Sequence, residues 1–223
     1  MQLGTVTKKS NIVFVLGTRF LTEFTYVLRF GRGGLVFEAG QYISLDLPGN
    51  SEKREYSIYS GVNDDYLEVL VKEIDEGLVS RQLKHLQEGA HVEMDGPFGF
   101  FTLKEENKSG RKPVFIASGT GIAPFHSFVS SFPGLDYLLI HGVRLRKEAY
   151  DKEAYGKSQY LLCTSRENTG DFHGRVTDYI RENPRGHNSD YYLCGNSKMI
   201  HEVYDILREQ GQGTDRIHAE VYF

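Results

Sequence analysis

The sequence predicts two domains of different architecture, an antiparallel β-barrel followed by an α/β unit built on a parallel sheet. Three observations carry this. Up to about Leu103, apolar and polar residues alternate with a period of two. A polar stretch from Lys104 to Lys112 then breaks the rhythm. Beyond it, short continuous apolar runs alternate with helical stripes. The break places the first domain at residues 1–106 and the second at 112–223. A chain of 223 residues accommodates two such units.

In the first half, Tyr26, Leu28 and Phe30 alternate with Thr25, Val27 and Arg29, and Ile43, Leu45 and Leu47 with Ser44 and Asp46. Leu67, Val69 and Val71 repeat the pattern as far as Lys72. Turn clusters, Gly31-Arg32-Gly33-Gly34 and Pro48-Gly49-Asn50, separate these runs, and short strands at such spacing predict an antiparallel barrel. One helix interrupts them, with Val79, Leu83 and Leu86 at helical spacing after Gly77. The segment from Lys104 to Lys112 reads as a linker or exposed loop.

In the second half, Val114-Phe115-Ile116-Ala117 is an unbroken apolar run, as a strand buried on both faces requires. Phe125, Phe128, Val129 and Phe132 then fall at helical spacing. Tyr137–Ile140, Tyr160–Cys163 and Tyr191–Cys194 are further buried strands. Val176, Tyr179 and Ile180, and then Met199, Val203, Ile206 and Leu207, form helical stripes. The alternation predicts a parallel sheet covered on both sides.

Composition narrows the function classes. With 39% hydrophobic and 25% charged residues the chain is an ordinary globular protein. A net charge of −4 gives no global attraction to nucleic acid. Ile12-Val13-Phe14-Val15-Leu16 is too short to span a bilayer, so no membrane association is expected. The two cysteines, Cys163 and Cys194, form no CxxC pair, which argues against a disulfide scaffold, a zinc site or an iron–sulfur cluster. No metal is predicted, and a reducing cytoplasm is the expected location.

Several short motifs combine residue types with a chemistry. Gly119-Thr120-Gly121-Ile122-Ala123-Pro124 joins an apolar strand to a helix. Glycines there let a phosphate approach the backbone near unpaired helix N–H groups, although a plain strand–helix turn uses the same residues. In Arg54-Glu55-Tyr56-Ser57, the guanidinium can clamp a pyrophosphate, the ring can lie against a planar cofactor, and the hydroxyl can bond a ring nitrogen. An exposed strand carries such residues too. Gly77-Leu78-Val79-Ser80 is either a capped helix or a second phosphate cradle. Cys194-Gly195-Asn196-Ser197-Lys198-Met199 stands where a parallel strand ends, the edge at which such sheets bind ligands, though buried cysteines usually just pack. Arg144, Ser165-Arg166 and Arg175 follow later strands, as surface residues or as partners of a polyanion. Ala219-Glu220-Val221-Tyr222-Phe223 ends in two aromatics and reads as a docked strand.

The order of these motifs resembles the ferredoxin–NADP(H) reductase family, specifically its compact bacterial members. Arg-x-Tyr-Ser, Gly-x-x-Ser, Gly-Pro-x-Gly (Gly96-Pro97-Phe98-Gly99), Gly-Thr-Gly-Ile-Ala-Pro, Ser-Arg-Glu, Cys-Gly-x-x-x-Met and a terminal Glu-x-Tyr follow one another from about Gln41 to the end. The resemblance implies a six-stranded antiparallel barrel for FAD and an α/β domain for NADP(H). It assigns Arg54, Tyr56, Ser57, Val71, Leu78, Val79, Ser80, Thr120, Tyr222 and Phe223 to FAD. It assigns Gly119, Gly121, Arg144, Ser165, Arg166, Arg175, Gly195 and Met199 to NADP(H), the arginines matching positions that hold the 2′-phosphate. Ser57, Cys194 and Glu220 match residues bordering the reacting rings, with roles in positioning and local polarity. Either Tyr222 or Phe223 stacks on the isoalloxazine.

The implied activity is that of a FAD-dependent oxidoreductase exchanging hydride with NADP(H) and single electrons with an acidic ferredoxin or flavodoxin. The protein is expected to be a monomer. Lys53, Lys72 and Arg32 are candidates for a basic docking rim. The alternatives are a reductase component of a multicomponent oxygenase, a free-flavin reductase, or a non-catalytic nucleotide-binding module.

Overall fold

The alternating N-terminal strands turn one face inward, and the only way to bury that face without a second layer is to close the sheet on itself. A computed structural model describes residues 11–47, 52–74, 78–108, 111–184 and 189–222. Six strands, β1 (Asn11–Phe20), β2 (Thr25–Gly31), β3 (Tyr42–Asp46), β4 (Arg54–Ser57), β5 (Tyr66–Lys72) and β6 (His91–Phe98), are arranged in the order β4-β3-β6-β1-β2-β5. Their pairings are antiparallel. Ile58, just past β4, bridges to Val69 of β5, and Tyr59 N donates to Glu68 O at 2.7 Å, which closes the barrel. Val13, Leu28, Phe30, Ile43, Leu45, Leu67, Val69 and Val92 fill it. Helix α1 (Leu78–Lys84) adds Val79 and Leu83 to the same core.

The segment read as a linker is built in. Lys104 and Lys112 flank a short helix, α2 (Glu105–Lys108), whose Asn107 is buried. Asn107 Nδ2 donates to Asp190 Oδ2 at 2.9 Å, and Tyr192 Oη donates to Asn107 Oδ1 at 2.8 Å. The polar composition suggested a solvated loop, but this one amide bonds one oxygen of a buried carboxylate and a tyrosine hydroxyl, both on the second sheet.

That sheet is parallel. Its strands, β7 (Pro113–Ser118), β8 (Leu138–Val143), β9 (Tyr160–Thr164), β10 (Phe172–His173), β11 (Asp190–Asn196) and β12 (Ile217–Tyr222), lie in the order β10-β9-β8-β7-β11-β12. The helices are α3 (Ala123–Ser131), α4 (Val176–Glu182) and α5 (Ser197–Glu209). The unbroken apolar runs follow from burial on both faces. Phe115, Leu139, Leu162 and Tyr192 point to one layer with α3, while Val114, Ile116, Ile140, Cys163 and Leu193 point to the other with α4 and α5. The chain leaves β7 toward β8 and returns to its other side as β11. Between β7 and β11 the order reverses, and such a switch point opens a crevice at the carboxyl ends of the strands.

The layer containing α3 is shared with the barrel. Val27, Ala39, Tyr59, Leu70, Phe101 and Leu103 belong to the same apolar cluster as Phe115, Phe125 and Phe128. The Tyr59 ring stacks on His126 with centroids 3.8 Å apart and planes 8° from parallel, and His126 Nδ1 meets Tyr59 O at 2.7 Å. Around this contact, Arg19 of β1 forms two bonds to Asp151, at 2.7 and 2.6 Å, and Tyr59 Oη donates to Asp151 Oδ2 at 2.9 Å. Asp151 adopts a left-handed conformation (φ 45°). Burial alone would raise its carboxyl pKa, but the bonds to Arg19 and Tyr59 outweigh that and hold it below its ordinary value.

Asp151→Ala loses these bonds and places a poorly tolerated side chain in the left-handed region. It should lower unfolding free energy by about 1–3 kcal/mol in a urea titration, with Asp151→Asn losing less because asparagine tolerates that conformation.

Candidate active site at the domain junction

A cleft of about 1120 Å³ runs along the switch point and the face of β4. That exceeds the usual volume for one small ligand, about 300–1,000 Å³, and leaves room for two extended nucleotides side by side. From the barrel it takes Arg54, Glu55, Tyr56 and Ser57, all of β4, with Tyr42, Leu70, Lys72 and Ser80. From the sheet it takes the strand ends and following turns, including Gly119, Thr120, Gly195, Met199, Glu220 and Tyr222.

Strand parity places the central groups. On β12, Ile217 and Val221 face the layer of α4 and α5. The alternate residues His218, Glu220 and Tyr222 therefore face the barrel. Register sets Cys194 beside Glu220 and Asn196 beside Tyr222. Ser57 Oγ donates to Glu220 Oε2 at 2.9 Å, joining β4 to β12. Burial, reinforced by Glu55, pushes the Glu220 carboxyl up to about 7, while the Ser57 bond lowers it. Tyr222 Oη is buried beside Ser57 and Cys194.

The glycine loop is a tight turn, Gly119–Ile122, leading into α3 with Pro124 in its first turn. Gly119 has φ +54° and nothing within 4 Å of where a Cβ would stand, so its backbone is open to a ligand. Gly121 serves another purpose. A Cβ there would lie 2.3 Å from Cys194 O and 2.5 Å from Gly195 Cα. It lets the turn pack on β11 and does not line the cleft.

Some of the other predicted residues do not line the cleft. Val71 and Val79 lie in the barrel core, 0% and 1% exposed, with their side chains turned away from the cleft. Alternation along β5 sends Leu70 and Lys72 to the wall instead. Cys194 is 0% exposed and sits behind Tyr222, its thiol pKa raised well above the ordinary value by burial. It borders Glu220 without reaching the cleft surface. Leu78 opens α1, its side chain outside the described set, and Phe223 and Gly77 lie outside the described residues. Arg32 is no free rim cation, since it donates to the carbonyls of Leu35, Val62 and Asp64. Lys53 and Lys72 do line the mouth.

Arg54, half-exposed, pairs with Glu52 at 3.0 Å at one end of the cleft. Ser80 is buried under it, its Oγ accepting from Ile74 N at 3.3 Å. At the other end, Ser165 N donates to Val143 O at 3.1 Å and Arg166 N to Arg144 O at 3.0 Å, so the loops after β8 and β9 run together. Gly142 packs against Val176, next to Arg175. Arg144, Arg166 and Arg175 are exposed there, and none has a carboxylate partner among the described residues. Unpaired guanidinium groups around one hollow have the chemistry to bind an anion.

Two supporting residues escaped the motif reading. Ser118 Oγ accepts from Asn196 N at 3.0 Å and ties the two turns across the switch point. His141 is the polar residue inside the apolar run of β8, a visible signal. Its Nε2 meets Gly119 O at 2.9 Å, and because a carbonyl can only accept, Nε2 carries the proton and Nδ1 accepts from Tyr160 Oη at 2.9 Å. Burial lowers its pKa to about 4, so a neutral imidazole supports the glycine turn.

Comparison with known proteins places this geometry. Residues 21–103 match the oxidoreductase FAD-binding domain family, and residues 115–205 match the oxidoreductase NAD-binding domain family. The reductase subunit of an aromatic O-demethylase from Amycolatopsis is 29% identical over 205 residues, 84% of this chain and 61% of that protein. The electron transfer component of a toluate 1,2-dioxygenase from Pseudomonas putida is 30% identical over 214 residues, 88% of this chain and 63% of that one. This chain thus spans about three fifths of the length of these curated relatives. Among solved structures, a ferredoxin NADP+ reductase from Neisseria gonorrhoeae, with bound FAD and NADP, shares the fold at TM-score 0.85 and 23% identity. It covers 96% of this chain and 99% of its own. A cytochrome P450 reductase from Amycolatopsis superposes at TM-score 0.82 with 26% identity, over 96% of this chain and 71% of its own.

Two outcomes follow. Because the folded Glu220 pKa is raised above its unfolded value, the folded state binds the extra proton between about pH 4.5 and 7, and stability falls as pH rises through that window. Ser57→Ala should move the Glu220 titration higher still, read from the carboxyl infrared band, and Glu220→Gln should flatten the stability slope. Gly121→Ala forces a methyl group into the β11 backbone and should cost about 1–3 kcal/mol by thermal or denaturant unfolding.

Proposed function

The chain belongs to the ferredoxin–NADP(H) reductase family of two-domain oxidoreductases, and from that premise we propose that it moves electrons between NADP(H) and a one-electron acceptor protein through bound FAD. The observation that carries the reading is the meeting of β4 and β12 in one cleft, where Ser57 bonds Glu220. An FAD-binding half and an NAD-binding half contribute opposite walls of the same hollow.

The residues fit both groups. Arg54 offers a charged clamp for the FAD pyrophosphate, and Tyr56, half-buried on β4, offers a face for the flavin ring. Ser57 and Ser80 supply hydroxyls to the same wall, and the open backbone at Gly119 and Thr120 supplies the nucleotide turn. Tyr222 covers the inner end over Cys194. When bound, FAD supplies the conversion between two-electron exchange with a nicotinamide and one-electron exchange with an acceptor. The protein's own part is positioning and polarity. Ser57 fixes the Glu220 carboxyl, which near pH 7 can hold or release a proton at the point where the walls meet. Arg144, Arg166 and Arg175 favour a 2′-phosphate, and hence NADPH over NADH.

The acceptor we propose is a ferredoxin or flavodoxin, with Lys53 and Lys72 at the cleft mouth as docking cations. A second reading, the reductase of a multicomponent oxygenase, draws support from the names of the curated relatives. Both cysteines of this chain are buried free thiols, so in that reading too the acceptor centre is supplied outside these residues.

Arg166→Ala and Arg175→Ala should each raise the KM for NADPH by the equivalent of about 1–3 kcal/mol, with a smaller effect on NADH. Equal weakening of both nucleotides would remove the phosphate assignment. Turnover with purified ferredoxin or flavodoxin, set against turnover with free riboflavin, separates the proposed acceptors from a free-flavin reductase.

A further inference from the structure

We infer that Glu148 is a specificity-determining residue of the nucleotide end of the cleft, an acceptor for the hydroxyls of an unphosphorylated ribose. This rests on the reading of that end as a nicotinamide-nucleotide site. Glu148 closes the short turn Arg146–Glu148 that follows β8. Its Oε2 accepts two backbone N–H groups, Arg144 at 2.9 Å and Leu145 at 3.0 Å. Both bonds fall on one oxygen. Oε1 has no hydrogen-bond partner among the described residues, and the half-buried side chain lines the cleft.

The surroundings give that oxygen a purpose. The two backbone bonds hold the carboxylate in place, so it cannot swing out to solvent. The residue that donates one of them, Arg144, is itself one of the unpaired arginines at this end. The Arg166 N to Arg144 O bond brings the loop after β9 to the same spot. An anion site with three free guanidinium groups therefore contains one anchored carboxylate. A carboxylate accepts hydrogen bonds from a ribose diol and repels a phosphate, whereas guanidinium groups attract a phosphate and cannot accept from the diol. The pair of opposing preferences lets one pocket end take either nucleotide, and Glu148 sets the balance. Glu202, also on the cleft wall, lies on α5 and faces Arg181 at 3.5 Å, so it does not compete for this role.

The test compares binding of adenosine 5′-monophosphate and adenosine 2′,5′-bisphosphate to the flavin-loaded protein and its Glu148→Gln variant by calorimetry. The glutamine oxygen can keep both backbone bonds, while its amide nitrogen presents a donor and no charge to the cleft. The monophosphate should weaken about tenfold while the bisphosphate holds or tightens, shifting the ratio by about tenfold or more. Glu148→Asp, which withdraws the charge by one methylene, is the second variant and should shift the ratio the same way by less. The ratio of kcat/KM for NADH and NADPH should follow. Equal weakening of both probes would mean that Glu148 only supports its loop, and unchanged binding of both would deny it any role. Either result overturns the inference and leaves the nucleotide site standing. Failure of both probes to bind the unaltered protein would remove the nucleotide reading itself.

Discussion

The apolar layer shared by the barrel and the parallel sheet holds β4 opposite the carboxyl ends of β7 and β11, and the cleft exists only because of that placement. Phe101, on the segment leaving the barrel, packs against Phe125, Phe128 and Tyr192 of the second half, and Tyr59 stacks on His126. Each buried aromatic removes about 150–250 Å² from water, several kcal/mol of burial at about 25 cal/mol per Å². The Arg19–Asp151 pair, half-exposed on its arginine, belongs to a class worth about 0–1 kcal/mol when exposed. The aromatic layer therefore decides that the halves dock, and the polar contacts decide in which orientation.

Within that frame, strand parity does much of the work. One period-2 rule sends Glu220 and Tyr222 of β12 toward the barrel and leaves Val221 in the opposite layer. The same rule puts Cys194 in the shared layer, behind Tyr222. The interior between the halves also shifts the groups it holds. Glu220 is carried up to about 7 and His141 down to about 4, each toward its neutral form. A neutral histidine thus supports the glycine turn and a carboxyl titrating near neutrality stands at the junction, with Glu55, Glu148 and Glu202 as well as arginines and lysines on the surrounding wall.

Much of this was legible from residue order. The period-2 runs marked barrel strands, and the continuous runs marked the buried parallel strands, because each pattern reports how many faces are covered. The motif order brought Arg54, Ser57, Thr120, Glu220 and Tyr222 to one cleft. Other features could not be read locally. Val71 and Val79 matched a motif, but whether a side chain faces core or cleft depends on strand and helix phase. The polar run around Asn107 looked like a solvated loop because its partners, Asp190 and Tyr192, lie more than 80 residues away. Asp151, Tyr59 and Arg19 carry no local signal, since their relation exists only after both halves fold. His141 was readable in principle, as a polar residue inside a strand with two apolar faces.

The central claim is that one crevice seats a flavin and a nicotinamide against each other. The direct measurement is to release and identify the flavin of the purified protein, then titrate the intact holoprotein anaerobically with NADPH while following flavin absorbance. One FAD per chain, bleached by about one equivalent of NADPH, is the predicted result. A protein that holds FAD yet keeps its full absorbance in excess NADPH and NADH would contradict the account, as would a colourless protein that takes up no FAD.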